Sequence, residues 1–318
     1  MEYRKLGNSG LKVSEIGLGG NPFGWWADEA TSATVVNKAF ELGINFIDTA
    51  DVYDNGHSEE YLGRILKGKR QQVLIATKFA SPAGKGPNDR GGSRYHMTVA
   101  LEASLRRLQT DYVDLYQIHF ADPTTPIEET LRALDDAVRA GKIRYIGCSN
   151  FAAWQLCEAM WTSRVNRLNS FVSVQPQYNL LSREIERELV PCCQAYGVGV
   201  IPYSPLGGGF LTGKYHKGAE LPANARLSGN NPMFRGIFTD DNWNKVAKLE
   251  AFATAHGHKL NELAIAWLLA HPWLSTIIAG ARNTEQLAAN AAGASWKLTP
   301  AEVAEVDAIT EPPGARQP

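Results

Sequence analysis

Cysteine is scarce in this chain of 318 residues: four are present, two of them the neighbours Cys192 and Cys193, with no CxxC pair and no disulfide framework. That usage implies reduced thiols in a reducing compartment. Charge of one sign is lacking too, since 32 basic side chains face 33 acidic ones and the formal charge is −1. Without a global basic field, no nucleic-acid partner is expected. No apolar run approaches the roughly 18 residues that span a bilayer. The start, MEYRKLGNSGLKV, carries no signal-peptide apolar stretch, so the expectation is a cytoplasmic protein with no membrane partner. Histidines are few and scattered, and His256 and His258, two apart, would point different ways on a helix. No metal site is therefore expected. A GxGxxG fingerprint is missing as well; GLGGNP (17–22) is the nearest run and reads as a tight turn.

What is present is a 44% hydrophobic composition, which excludes intrinsic disorder. The length allows two ordinary domains or one large α/β barrel. Eight short, β-branched stretches decide between them: VSEIGLG (13–19), INFIDTA (44–50), VLIATK (73–78), VDLYQIH (113–119), IRYIGCS (143–149), FVSVQP (171–176), VGVIPYS (198–204) and TIIAGA (276–281). Several are apolar almost throughout, as parallel strands buried on both faces must be. Helix-like segments alternate with them: Ala30 to Leu42, Ser58 to Leu66, Thr98 to Leu108, and one opened by Pro126 and stopped by Gly141. The expectation is one (β/α)8 TIM barrel over 1–318, with an N-terminal β-hairpin turning at Asn8-Ser9-Gly10. A long lid-like loop, roughly Lys214 to Thr239, follows the seventh strand.

In such barrels the chemistry gathers where the strands end. The second strand ends at Asp48 with Tyr53 just beyond it, the third ends at Lys78, and the fourth at His119. Singly, Lys78 reads as a solvated cap, His119 as a core histidine and Tyr53 as a loop aromatic. Jointly they make a site that polarises a carbonyl oxygen. A phenol near pKa 10 donates poorly at neutral pH. An ammonium on Lys78 is expected to lower it, Asp48 to hold that ammonium, and His119 to orient the carbonyl or help pass the proton. Hydride must come from a cofactor.

INFIDTADVYDNGHSEEYLG (44–63), LIATK (74–78) and DYVDLYQIH (111–119) are similar to the signatures of the aldo-keto reductases. The resemblance runs from YRKLGNSGLKVS at the start to EQLAAN (285–290). It implies Asp48, Tyr53, Lys78 and His119 as the catalytic set and NADP(H) as the cofactor, bound without a Rossmann fold. By the same resemblance Ser149, Asn150 and Gln175 hold the nicotinamide carboxamide and Tyr203 stacks on its ring. Ser204, Leu206, Gly208, Leu211 and Lys214, in YSPLGGGFLTGK, wrap the pyrophosphate. Taken alone, the glycine run is a flexible loop, and Asn150 suits a helix N-cap. In GARNTEQLAAN (280–290) the resemblance adds Gly280 to the cofactor residues, sets Arg282 to meet a 2′-phosphate and turns Gln286 and Asn290 toward the adenine, though for these last two an exposed helix surface would look the same.

Trp25, Trp26, Phe79 and Phe120 are the substrate-facing candidates, with Met233, Phe234 and Phe238 as closing residues. The implied activity is reversible NADPH-dependent reduction of a small-molecule aldehyde or ketone to its alcohol. Two other readings stand beside it. Lys78 as a Schiff-base nucleophile would make a lyase. Potassium-channel β subunits also resemble the family and would make the chain a regulatory partner, although the short N-terminus lacks the segment they often carry. The family includes monomers and larger assemblies, which leaves an oligomer open.

Overall fold

This computed structural model describes residues 1–222, 225–227, 234 and 236–311. The chain opens with an antiparallel hairpin of β1 (Tyr3–Lys5) and β2 (Lys12–Ser14), in which Arg4 pairs with Val13. Eight parallel strands follow: β3 (Ile16–Gly19), β4 (Phe46–Asp48), β5 (Leu74–Phe79), β6 (Val113–Ile118), β7 (Ile143–Ser149), β8 (Ser173–Gln175), β9 (Gly199–Val200) and β10 (Ile277–Gly280). Their order is β10-β3-β4-β5-β6-β7-β8-β9, and bridges from Val200 to Leu274 and from Tyr203 to Ile278 close the sheet on itself. The chain thus forms the (β/α)8 barrel that its strand pattern predicts.

Helices cross over between the strands: α1 (Glu29–Glu41), α2 (His57–Ile65), α3 (Arg94–Leu108), α4 (Ile127–Arg139), α5 (Ala153–Asn166) and α6 (Leu189–Tyr196). Two, α7 (Asp240–Ala255) and α8 (Leu260–Ala270), separate β9 from β10, and α9 (Thr284–Ala292) and α10 (Pro300–Thr310) follow. Local chemistry sets their ends. Asp28 caps α1 by accepting from the Thr31 N–H, and Gly43 leaves it in the left-handed region at φ 75°. The third helix starts at Arg94, four residues before the predicted Thr98, because the Ser93 side chain caps it by accepting from the His96 N–H. The predicted first strand, 13–19, is two elements: the chain breaks at Glu15, so Val13 and Ser14 belong to the hairpin.

Alternation along the strands sorts the side chains into two layers. Phe46, Ala76, Leu115 and Ile278 fill the barrel, where Leu6 and Val13 of the hairpin plug its floor. Ile47, Ile75, Phe79, Tyr116 and Ile118 face the surrounding helices. This parity decides the site. Asp48 follows Phe46 by two, Lys78 follows Ala76 by two, and Gln117 follows Leu115 by two, so each points inward above the barrel core.

Candidate active site

Asp48, Lys78 and Gln117 are adjacent across β4, β5 and β6, with Lys78 in register with Gln117. Lys78 is fully buried, which rules out the solvated cap. Its Nζ donates to Asp48 Oδ2 at 2.5 Å, to the Thr49 carbonyl at 2.8 Å and to the Tyr53 hydroxyl oxygen at 3.2 Å. All three ammonium protons are thereby used. The other oxygen of Asp48 accepts from Gln175 Nε2 at 2.8 Å and Gln117 Nε2 at 3.1 Å. Burial alone would lower the Lys78 pKa, but the charge of Asp48, with Tyr53, overcomes it and holds the ammonium above its ordinary range.

Tyr53 sits where β4 runs into α2, half-buried at the mouth. Here the structure corrects the sequence. Burial raises the phenol above its usual pKa and outweighs the downward pull of Lys78, so Tyr53 keeps its proton at neutral pH. Its oxygen accepts from Lys78, which leaves its own O–H free for the opening. His119 stands edge-on to it, ring centres 6.0 Å apart. Its Nδ1 is 3.1 Å from Ser81 Oγ, and burial with the nearby Lys78 charge depresses its pKa to about 3. The imidazole is therefore neutral across the physiological range.

The polar groups after β7 and β8 form one network. Ser149 Oγ donates to the Gln175 carbonyl at 2.7 Å, and Asn150 Nδ2 donates to the His119 carbonyl at 3.0 Å. Tyr203 donates its hydroxyl to Asn150 Oδ1 at 2.9 Å. Asn150 holds a left-handed backbone at φ 57°, and the N-cap of α5 is Ala152, so helix capping does not explain Asn150. Ser204 is left-handed too, at φ 54°, and its carbonyl accepts from Asn179.

Beyond it Leu206 is half-buried, while Gly208 and Leu211 are buried. A Cβ on Gly208 would come within 2.9 Å of Leu227 and Phe234, so a larger residue would displace the loop. Lys214 is exposed, and its pKa is lowered by burial of its stem and by repulsion from Arg282. At the end of β10 Gly280 is exposed, and Gln286 Oε1 accepts from the Arg282 N–H at 3.0 Å. Asn290 is buried, which removes the exposed-surface reading for it.

Three of the four predicted aromatics border the opening. Trp25 lies 6.1 Å from Tyr53 between ring centres, Trp26 packs edge-on against Trp25, and Phe120 stacks on His119 at 5.0 Å. Phe79 does not join them. It is fully buried, stacked 4.9 Å from Tyr116 in the helix-facing layer, because one residue after inward Lys78 the strand points outward. Phe234 lies under Arg226, at 5.4 Å, and Phe238 stacks on Trp243 and packs against Phe210 and Tyr215. Met233 lies outside the described residues.

Two participants escaped the sequence reading. Gln117 is two residues before His119, a parity signal that was there to be used. Arg226, in an irregular stretch, offered none. Its guanidinium lies 5.9 Å from the Trp26 ring centre, and its buried Nε has no hydrogen-bond partner. Among the described residues, no three His, Cys, Asp or Glu side chains gather as a metal would need, and no helix is long and apolar enough to cross a membrane.

The sequence model of the Aldo/keto reductase family matches residues 15–311. A rice protein named as a probable voltage-gated potassium channel subunit beta is 38% identical over 98% of this chain and 97% of its own length. The versiconal hemiacetal acetate reductase of Aspergillus parasiticus is 37% identical over 95% of each chain. The aldo-keto reductase YhdN of Bacillus subtilis is 36% identical over 98% of this chain and 94% of its own.

Proposed function

The chain belongs to the aldo/keto reductase family, and from that premise we propose that it is a cytoplasmic NADPH-dependent enzyme reducing an aldehyde or ketone to an alcohol, reversibly, with Tyr53 as proton donor. The observation that carries this reading is the triple engagement of Lys78 by Asp48, Thr49 and Tyr53. An ammonium so held stabilises a phenolate more than a phenol, so it favours release of the Tyr53 proton as negative charge develops on a substrate oxygen. Asp48 cannot take over that role, because its second oxygen is already occupied by Gln117 and Gln175. In the tautomer in which Nδ1 accepts from Ser81 Oγ, 3.1 Å away, neutral His119 presents Nε2–H to the carbonyl and sets its angle. Trp25 and Phe120 narrow the opening around the reacting groups.

The residues present fit a dinucleotide. Lys214 and Arg226 make no ion pair among the described residues, both are destabilised as cations by burial and by Arg282, and Arg226 keeps an unpartnered buried donor. Such a cluster calls for a polyanion. By this reading Arg282 meets a 2′-phosphate and favours NADPH over NADH, while Lys214 and Arg226 neutralise the pyrophosphate. Ser204, Leu206, Gly208, Leu211 and Gly280 supply backbone and packing along it. Ser149, Asn150 and Gln175 hold the carboxamide, Tyr203 covers the ring, and Gln286 and Asn290 meet the adenine. When bound, the nicotinamide supplies hydride, which no side chain can.

The rice relative's name raises a second reading, a channel-associated regulatory protein. A Schiff-base lyase is disfavoured by the charged, fully bonded state of Lys78. Following NADPH absorbance across aldehydes and ketones tests the proposal. Tyr53→Phe should lose roughly 10²- to 10⁴-fold in kcat, the usual worth of a general acid. Full activity in that variant would overturn the assignment, and no turnover by the wild type would favour the regulatory reading.

A further inference from the structure

Two neighbouring helices on the outside of the barrel end their outer faces differently. The exposed residues of α4 are all charged: Glu128, Glu129, Arg132, Asp136 and Arg139. Those of α5 are Trp154, Cys157, Glu158, Trp161, Arg164 and Val165, of which only two carry charge. Trp154 is 67% exposed, Trp161 58% and Val165 60%. The opposite face of α5, with Leu156, Ala159 and Ser163, is buried. A helix that is apolar on both faces is normally covered on both. Among the described residues nothing lies over the outer one.

The six exposed residues are ordered. Cys157, Trp161 and Val165 are four apart and form one ridge along the outer face. Glu158 follows the first residue of that ridge and Arg164 precedes the last, so the roughly 100° step of the helix sets them on opposite flanks of Trp161. The Arg164 flank is the one toward α6, whose Tyr196 hydroxyl lies 3.2 Å from Cys157 Sγ. On α4, Arg132 and Arg139 are spent on Glu128 and Asp135. Glu158 and Arg164 form no ion pair among the described residues.

We propose that the outer face of α5 is a contact between two copies of this chain, paired about a two-fold axis that runs along the ridge of Cys157, Trp161 and Val165. Helices that meet on ridges of this spacing cross at about 50°. A half-turn about the ridge exchanges its two flanks. Glu158 of each copy then faces Arg164 of the other, and Trp161 faces its own mate. The patch is thus complementary to itself, as a two-fold contact requires. An antiparallel pairing would set like flank on like flank, with the two carboxylates on one side. A partner of another kind would have to bring a cation and an anion at matching places, whereas a second copy already carries both. The two tryptophans and the valine offer on the order of 300 Å² of apolar surface. That falls short of the roughly 800 Å² per partner of a tight interface. The pairing is accordingly expected to be weak, with a Kd of about 10 μM.

Sedimentation equilibrium of the full chain tests this without any turnover. Between about 1 and about 200 μM the wild type should pass from monomer to dimer. Trp161→Ala should raise Kd by about tenfold or more, the effect of removing a central aromatic anchor. Glu158→Arg sets guanidinium against guanidinium and Arg164→Glu sets carboxylate against carboxylate, so each alone should weaken pairing by about tenfold. Joined in one chain, the two reversals exchange the flanks and should return Kd to within about threefold of the wild type. Thermal unfolding at about 1 μM, where every variant is monomeric, should give the same Tm within about 2 °C, because all three positions are exposed. That comparison separates lost pairing from lost folding. A wild type that stays monomeric at the highest concentration overturns the proposal and leaves the face to a partner of another kind. A dimer indifferent to Trp161→Ala overturns it too. So does a double reversal as weak as either single one, since Glu158 and Arg164 would then not face each other.

Discussion

At the floor of the barrel Arg4 spends its donors on five hydrogen bonds, two to Glu15 and three to the carbonyls of Leu269, His271 and Leu274. At the mouth Arg226 makes one long bond, 3.4 Å to Asn21, and leaves a buried Nε with nothing. The backbone divides the same way. Of the seven non-glycine residues with positive φ among the described residues, Gln109 and Arg167 are helix C-caps. Ala80, Asn150 and Ser204 follow barrel strands, and Asp54 and Asn55 sit in the Tyr53 turn. Each such residue costs on the order of 1 kcal/mol unless its surroundings hold it. Among the described residues, the one carboxyl and the one guanidinium with unpartnered buried atoms, Asp51 and Arg226, belong to the mouth. The floor therefore leaves only neutral groups such as the Ser173 and Thr276 hydroxyls without partners, whereas the mouth keeps strain and an unspent guanidinium for something that binds.

The largest expected effect breaks the floor. Arg4→Ala strands Glu15, whose side chain is 1% exposed and keeps only Lys297 at 3.2 Å. Removing one partner of a buried pair typically costs about 3–5 kcal/mol. Urea unfolding should show a loss of that order, while kcat of the folded fraction stays at the wild-type value. A loss under 1 kcal/mol would mean that the floor is not the stabilising end.

Arg226→Ala sharpens the same comparison from the other side and is smaller. It removes no satisfied charge pair, so unfolding should shift by about 0.5 kcal/mol or less. KM for NADPH should rise about tenfold, equivalent to about 1.4 kcal/mol. If Arg226→Ala destabilises the chain as much as Arg4→Ala while leaving KM unchanged, the two ends do not differ in kind.

The barrel, its opening hairpin and the convergence of Asp48, Tyr53, Lys78 and His119 were legible in the sequence, and the reasons are physical. Eight β-branched runs announce buried parallel strands, and period-two alternation puts Asp48, Lys78 and His119 on one face once the strands are placed. The same rule, applied one residue further, excludes Phe79 from the opening and admits Gln117. What periodicity does not carry is Arg226, because an irregular segment has no register from which to infer where its side chain goes. Nor does it carry the direction of the Tyr53 shift. The sequence puts an ammonium beside the phenol, but how much water is lost around that phenol depends on Trp25, His119 and Lys78 closing in from separate strands and loops. Burial then outweighs the neighbouring charge.

The smallest expected effect is a flat one, and it separates mouth from floor by proton affinity. His119 has its pKa depressed to about 3 by burial and by Lys78, so it stays neutral far below the point where a free imidazole charges. Reductive kcat/KM should then show no acid limb from His119 between pH 5 and pH 7. Stability must respond where rate does not. A histidine whose folded pKa lies below its unfolded value binds more protons unfolded, so its contribution is complete above roughly pH 6.5 and is lost as pH falls toward 3. His119→Gln, which cannot charge, should blunt that acid sensitivity while lowering turnover through the loss of carbonyl orientation. A titration near pH 6.5 in the wild-type rate that disappears in His119→Gln would show an imidazole that charges during catalysis, and His119 would then be passing a proton rather than only aiming a carbonyl.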